Sequence, residues 1–150
     1  MAFAAGQKVR ASELNKLLAH ALRYETNVAT NCTTSTDTDI PFGTLIAADT
    51  AYFSVSAANI TILQAGWLEA ESAVRMASGT TGYELKIKLN GGLVTGTNGG
   101  STLQGNIATG FPVSANDIVK VSVLHTTGST KALETGAGRQ NHIALSWRPL

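Results

Sequence analysis

The stretch Asn59-Ile60-Thr61-Ile62-Leu63-Gln64-Ala65-Gly66-Trp67-Leu68-Glu69-Ala70-Glu71-Ser72-Ala73-Val74-Arg75, with Tyr83-Glu84-Leu85-Lys86-Ile87-Lys88-Leu89-Asn90-Gly91 beyond a Gly-rich turn, decides the fold class. Apolar residues recur with period two at Ile60 and Ile62, at Leu68, Ala70, Val74 and Met76, and at Tyr83, Leu85, Ile87 and Leu89. That period puts each set on one face of a strand, so three antiparallel strands are predicted. Glu69, Glu71, Arg75, Glu84, Lys86 and Lys88 stand between them, and their faces are expected to be solvated or to meet another chain.

Outward from this stretch the same grammar continues. Tyr52-Phe53-Ser54-Val55-Ser56 alternates as a strand, and Ile40-Pro41-Phe42 opens the sheet at an edge or strand start, because Pro41 has no N–H to donate. Gly91-Gly92, Gly96 and Gly99-Gly100 mark hairpin turns. Charged residues make up only 14% of the chain, a balance that suits short strands and turns rather than long helices. At 150 residues the chain suffices for one domain that buries about two-thirds of its unfolded surface without disulfide or metal.

Three groups of residues carry a family resemblance. The order Ile60-Thr61-Ile62, Ala65-Gly66-Trp67 and Leu89-Asn90-Gly91, the run from Ser114 through Asn116-Asp117-Ile118 to Val123, and the end Ile143-Ala144-Leu145-Ser146-Trp147 resemble the jelly roll of complement globular heads, tumour-necrosis-factor-like cytokines and many phage surface proteins. Asn116 stands where that family has Gly, a mild departure because Asn tolerates a left-handed backbone. The resemblance covers roughly residues 35 to 150. It implies an all-β antiparallel jelly-roll sandwich of about eight to ten strands that trimerises through one sheet. Trp67, Tyr83, Ile87, Val119, Val121, Val123, Leu145 and Trp147 are then divided between core and threefold contact, and alternation does not say which is which.

The amino-terminal end reads differently. Leu14, Leu17, Leu18, Ala21 and Leu22 fall at helical spacing, Ser12 is a candidate cap and Arg23 suits the negative end of a helix dipole. A short amphipathic α-helix is therefore expected, with residues 1–25 as arm and helix, 26–38 as a Thr/Asn-rich linker and 39–150 as the jelly roll. A helix of about 14 residues is marginal alone in water. Its leucines have to pack on the chain's own sheet, on the same helix of neighbouring subunits, or on a larger assembly. The phrase Ala5-Gly6-Gln7-Lys8-Val9-Arg10-Ala11-Ser12-Glu13-Leu14-Asn15 is similar to the opening of many phage virion proteins. That resemblance implies particle attachment through Val9, Leu14, Leu17, Leu18 and Leu22.

Several chemistries find no support. The net charge of +1 and the lack of any Lys or Arg run argue against nucleic acid as a partner. No stretch is long and apolar enough to span a bilayer, and the first residues do not form an export signal. Cys32 is the sole cysteine, as expected of a chain made in a reducing host cytoplasm and released by lysis. His20, His125 and His142 lack partners at metal-ligand spacing and read as surface or interface residues. No nucleophile elbow occurs, and the Gly-rich run over residues 91–100 lacks the Lys-Ser/Thr ending of a phosphate loop. Asp37 and Asp39 are the one pair that suits calcium, although most such pairs are simply solvated; no cofactor is otherwise expected.

Together these features lead to the expectation of a non-enzymatic phage virion protein, located in the virion. Its partners would be further copies in a homotrimer and the major capsid protein or another virion protein. It would be a capsid decoration or head-fibre protein; as a tail or tail-fibre component it would instead present residues 96–101 and 127–139 to a host-surface glycan. A free bacterial carbohydrate-binding module of the same fold is the third reading. Trp67, Tyr83, Tyr52 and Trp147 would stack on sugar rings if exposed, and otherwise belong to core or subunit contacts.

Overall fold

A computed structural model describes residues 19–26, 28–98, 104–135 and 141–150. Among them run thirteen strands, three of only two residues: β1 (His20–Thr26), β2 (Asn31–Cys32), β3 (Thr38–Asp39), β4 (Thr44–Ala48), β5 (Phe53–Ser56), β6 (Asn59–Ile62), β7 (Gly66–Arg75), β8 (Glu84–Leu89), β9 (Gly92–Asn98), β10 (Gln104–Val113), β11 (Ile118–Leu124), β12 (Lys131–Ala132) and β13 (Asn141–Arg148). One sheet has the order β10-β7-β13-β1-β4. The other has the order β5-β6-β11-β8-β9, with β3 added against β11, and β2 pairs β12 separately. All pairings are antiparallel.

The three strands expected from residues 59–90 are present, but they are not neighbours. β6 and β8 flank β11 in one sheet, while β7 lies in the other between β10 and β13. Alternation tells which side chains face inward; it is silent on pairing, which the crossovers of a jelly roll decide. The inward set is as the period requires: Ile60, Ile62, Leu68, Ala70, Val74, Met76, Tyr83, Leu85 and Ile87 are all buried. Val119, Val121, Val123, Leu145 and Trp147 join them in one core between the sheets. Of the residues left open between core and threefold contact, only Trp67 is half-buried on an outer face.

The expected helix is replaced, over its described part, by strand. Residues 20–26 form β1, paired along its length with β13, with Leu22 opposite Leu145 on one side and Ala48 on the other. Leu22 is 1% exposed and so is a core residue, not an attachment residue. Leu22, which fits the helical spacing, also fits period two with His20 and Tyr24, and a ladder on both edges plus burial outweighs the weak propensity of a lone short helix. Val9, Leu14, Leu17 and Leu18 lie outside the described residues.

The segment expected as a linker, 26–38, is part of the body over its described residues. Cys32 is fully buried, and burial pushes its thiol pKa up against a smaller lowering by a hydrogen bond with Thr38. His125, expected at the surface, is buried beside it. The Thr127 amide donates to His125 Nδ1 at 3.4 Å, which leaves Nε2–H to donate to the Cys32 carbonyl at 2.8 Å. The Ser35 amide donates to the His125 carbonyl at 2.7 Å. The folded body therefore includes described residues from His20 onward, ahead of the expected boundary at residue 39.

Two turns carry the left-handed backbone that their sequences suit. Asn90 and Gly91 have φ of 51° and 81° in the two-residue loop joining β8 to β9, the pattern of a type I′ hairpin. Asn116, at φ 72°, takes the place usual for glycine, and the Asp117 carboxylate receives the Ser114 amide at 2.7 Å and the Asn90 side-chain amide at 2.8 Å. Ala57 is less well suited, since it is exposed and holds φ 52° between β5 and β6. Replacing Ala57 by Gly is expected to raise stability by roughly 0.5–1 kcal/mol, read as a higher urea midpoint at unchanged slope.

Candidate association face

The outer face of the five-stranded sheet follows from register. Reading across β10, β7 and β13, Pro112, Trp67 and Arg148 form one row; Gly110, Glu69 and Ser146 the next; Ala108, Glu71 and Ala144 the third. Ala21 and Arg23 of β1 extend the second and third rows, and Ala47 of β4 lies beside Arg23. Glycine, alanine and serine make the floor, while the long side chains stand up from it. The Trp67 indole lies across Gly110, where an added Cβ would be 3.1 Å from the ring, and the Arg148 guanidinium sits 6.0 Å from the ring centroid. Above β10, β7 and β13 the surface is concave, with an open volume of about 670 Å³ lined by residues of these three strands, Trp67, Glu69, Glu71 and Arg148 among them.

The charges of this face are loosely held. Arg148 and Glu69 approach only to 4.0 Å with side chains about 60% exposed, and Arg23 meets Glu25 at 4.0 Å. The His142 ring is 3.7 Å from Glu71. These are weak, solvent-screened pairs.

The opposite outer face is closed by its own charges. Lys120 is directly opposite Lys88 in the ladder, with Lys86 two residues further along β8, a like-charge cluster that needs anions. Asp37 bridges Lys86 at 2.9 Å and Lys88 at 2.7 Å, and Asp39 takes Lys120 at 2.7 Å. The two carboxylates that suited calcium thus face three ammonium groups. Among the described residues no three His, Cys, Asp or Glu gather closely enough to hold a metal.

Hydrogen bonds from Lys88 and then Lys86 hold the Asp37 carboxyl below its ordinary value and raise Lys86 in turn. A lowered folded-state pKa stabilises above the ordinary value of 3.8 and is lost as pH falls through the folded value. Asp37 is over a third exposed, so water and salt discount the effect. Asp37→Asn is expected to cost about 1 kcal/mol at pH 7, and the gap to the unaltered chain should close below about pH 4 in acid-dependent urea melts.

The sandwich has two distinct ends. At one lie the start of β1, residues 63–66, the 114–117 turn, Asn90-Gly91 and the end of β13; at the other, Arg75, Gln104 and Asn141 meet across the sheet. Where β1 begins, His20 stacks on Tyr52 with centroids 3.7 Å apart, hydrogen-bonds Asp49, and lies 5.7 Å from the Trp147 ring. The Trp147 indole N–H donates to the Gln64 carbonyl at 3.0 Å. Trp147 and Tyr83 are buried and so offer no face to a sugar. Residues 99–101 and 136–139 of the expected presenting loops lie outside the described residues.

Sequence reading missed β10 and with it Ala108 and Gly110. Gly105, Gly110 and Pro112 look like turn residues, yet Ile107, Phe111 and Val113 keep period two and are buried. That alternation was the available signal.

No family model matches the chain, and no curated protein matches it. Solved structures do. Murine APRIL at pH 8.0 superposes with a TM-score of 0.72 at 11% identity, over 87% of this chain and 99% of that one. The fold is a tumour-necrosis-factor-like jelly roll. PRD1 vertex protein P5 matches this jelly roll at TM-score 0.60 and 16% identity, over 88% of this chain and 96% of that one. Pika GITRL does so at TM-score 0.52 and 10% identity, over 88% and 98%. No described helix of the jelly roll is long and apolar enough to cross a membrane.

Proposed function

We propose that this chain is a non-enzymatic structural protein of a bacteriophage virion, a trimeric knob used as a capsid decoration or head fibre. The observation that carries the reading is the contrast between the two outer faces: one is closed by short lysine–aspartate bridges, the other is a concave floor of small residues with exposed, loosely paired charges. A face of the second kind suits close approach of another chain. The likeness to PRD1 vertex protein P5, although of fold alone, supports the virion as the setting.

Residues 1–18 are the attachment segment in this reading. They join the body at the end where His20, Tyr52 and Trp147 form a packed aromatic cluster, so the tether starts from a rigid point. The partner is the major capsid protein or another virion protein. Nothing in the reading calls for turnover, a cofactor or nucleic acid.

Two measurements test it. Light scattering across a concentration series should give the mass of three copies. A stained gel of purified virions should show the chain in an amount comparable with the major shell protein. A single-copy mass at all concentrations would remove the trimer, and a mere trace in virions would move the protein from the shell to the tail.

A further inference from the structure

The charges on the association face form an ordered pattern. Glu69 and Glu71 make an acidic track along β7, and each is flanked in register by small residues: Gly110 and Ser146 beside Glu69, Ala108 and Ala144 beside Glu71. Arg148 stands at one end of the track, and Arg23 lies two strands away from Glu71 in the same row. None of the small neighbours carries a side chain long enough to cover the carboxylates. The Glu69 and Glu71 side chains are 61% and 65% exposed, while Lys86 and Lys88 on the opposite face are 13% exposed. An acid pair over a recessed floor, beside two exposed arginines of the same surface, is complementary to a second copy of itself. A guanidinium can enter the concavity and reach both carboxylates, in the forked geometry that favours arginine over lysine.

The geometry points to Glu69 and Glu71 of one copy as the receptor for Arg23 and Arg148 of the next, so that charge pairing across the interface sets both the affinity and the relative orientation of the copies. This rests on the association reading above. The occupant is a second copy because the face holds both signs: set head to tail around the threefold of the proposed trimer, copies attract in the orientation that brings acid to base and repel in others.

The test uses the full chain in three variants. Glu69→Arg with Glu71→Arg makes the face basic, Arg23→Glu with Arg148→Glu makes it acidic, and the fourfold exchange restores both signs in swapped places. Each two-site variant should associate roughly tenfold more weakly or worse by sedimentation, and the fourfold variant should recover association. Thermal melts check that each variant folds. If a reversal unfolds the chain, Glu69→Gln with Glu71→Gln and Arg23→Gln with Arg148→Gln replace it, together with a salt series on the unaltered chain, whose affinity should fall as salt rises.

A two-site variant that associates like the unaltered chain overturns the inference and places the contact on another surface. A fourfold variant that stays as single copies, when both two-site variants do, overturns the charge pairing while leaving association through this face standing. An unaltered chain that remains a single copy at all concentrations removes the association reading itself.

Discussion

Deleting residues 1–24 is expected to abolish folding, whereas deleting residues 1–18 should leave the sandwich intact. Strand β1 is interior to its sheet, with β13 on one side and β4 on the other, and it seals the core with the fully buried Leu22. Losing it strips backbone partners from two strands, each hydrogen bond contributing roughly 0.5–1.5 kcal/mol net, and removes about 1.5–3 kcal/mol of Leu22 burial. Those losses are comparable with the whole stability of an ordinary domain, about 5–15 kcal/mol. The measurement is circular dichroism with a thermal melt. The shorter deletion should keep a cooperative transition and the longer one should lack it. A normal melt for the longer deletion would show that β1 is dispensable. The shorter deletion is therefore the one to use for virion incorporation, because it separates attachment from folding.

Gly66→Ala is the point substitution expected to do the most damage. Gly66 begins β7 beside the end of β13, where Arg148 pairs with Trp67. A Cβ built there would be 2.5 Å from the Trp147 ring and 2.5 Å from the Arg148 carbonyl oxygen. Backbone cannot swing aside as a flexible side chain can, so either β13 shifts or the indole leaves its pocket and loses its hydrogen bond to Gln64. A cost of about 3 kcal/mol follows, with a fall in melting temperature on the order of 10 °C. Tryptophan fluorescence should report the displaced ring. Gly110→Ala makes the comparison, since the atoms nearest its Cβ belong to the movable Trp67 indole, at 3.1 Å. It should change stability far less.

Most of the sandwich was legible because its core strands obey strict alternation, and Ile60, Ile62, Leu85, Ile87, Val119, Val121 and Val123 all lie where that period puts them. The failures have one cause at the amino terminus: Leu22 fits two periods at once over a short window, and only the pairing partner offered by β13 decides between them. The partner lies at the far end of the chain, beyond the reach of any local pattern. The association face was harder to see. Its defining residues are Ala108, Gly110, Ala144 and Ser146, which carry no charge or aromatic ring to draw attention; what marks them is register across β10, β7 and β13. Trp67 was singled out, but its outward direction became clear only when Leu68 proved to face the core.

The pairing of His20 with Trp147, at opposite ends of the described chain, has a consequence for how the protein is made. A polypeptide emerging from a ribosome in order cannot seat β1 between its neighbours until β13 is out, and β7 lies in a different sheet from β6 before it and β8 after it, so early contacts are confined to local hairpins such as β5–β6 and β8–β9. Such nonlocal topology predicts slow folding, with one flank of β7 left open until β13 has been made.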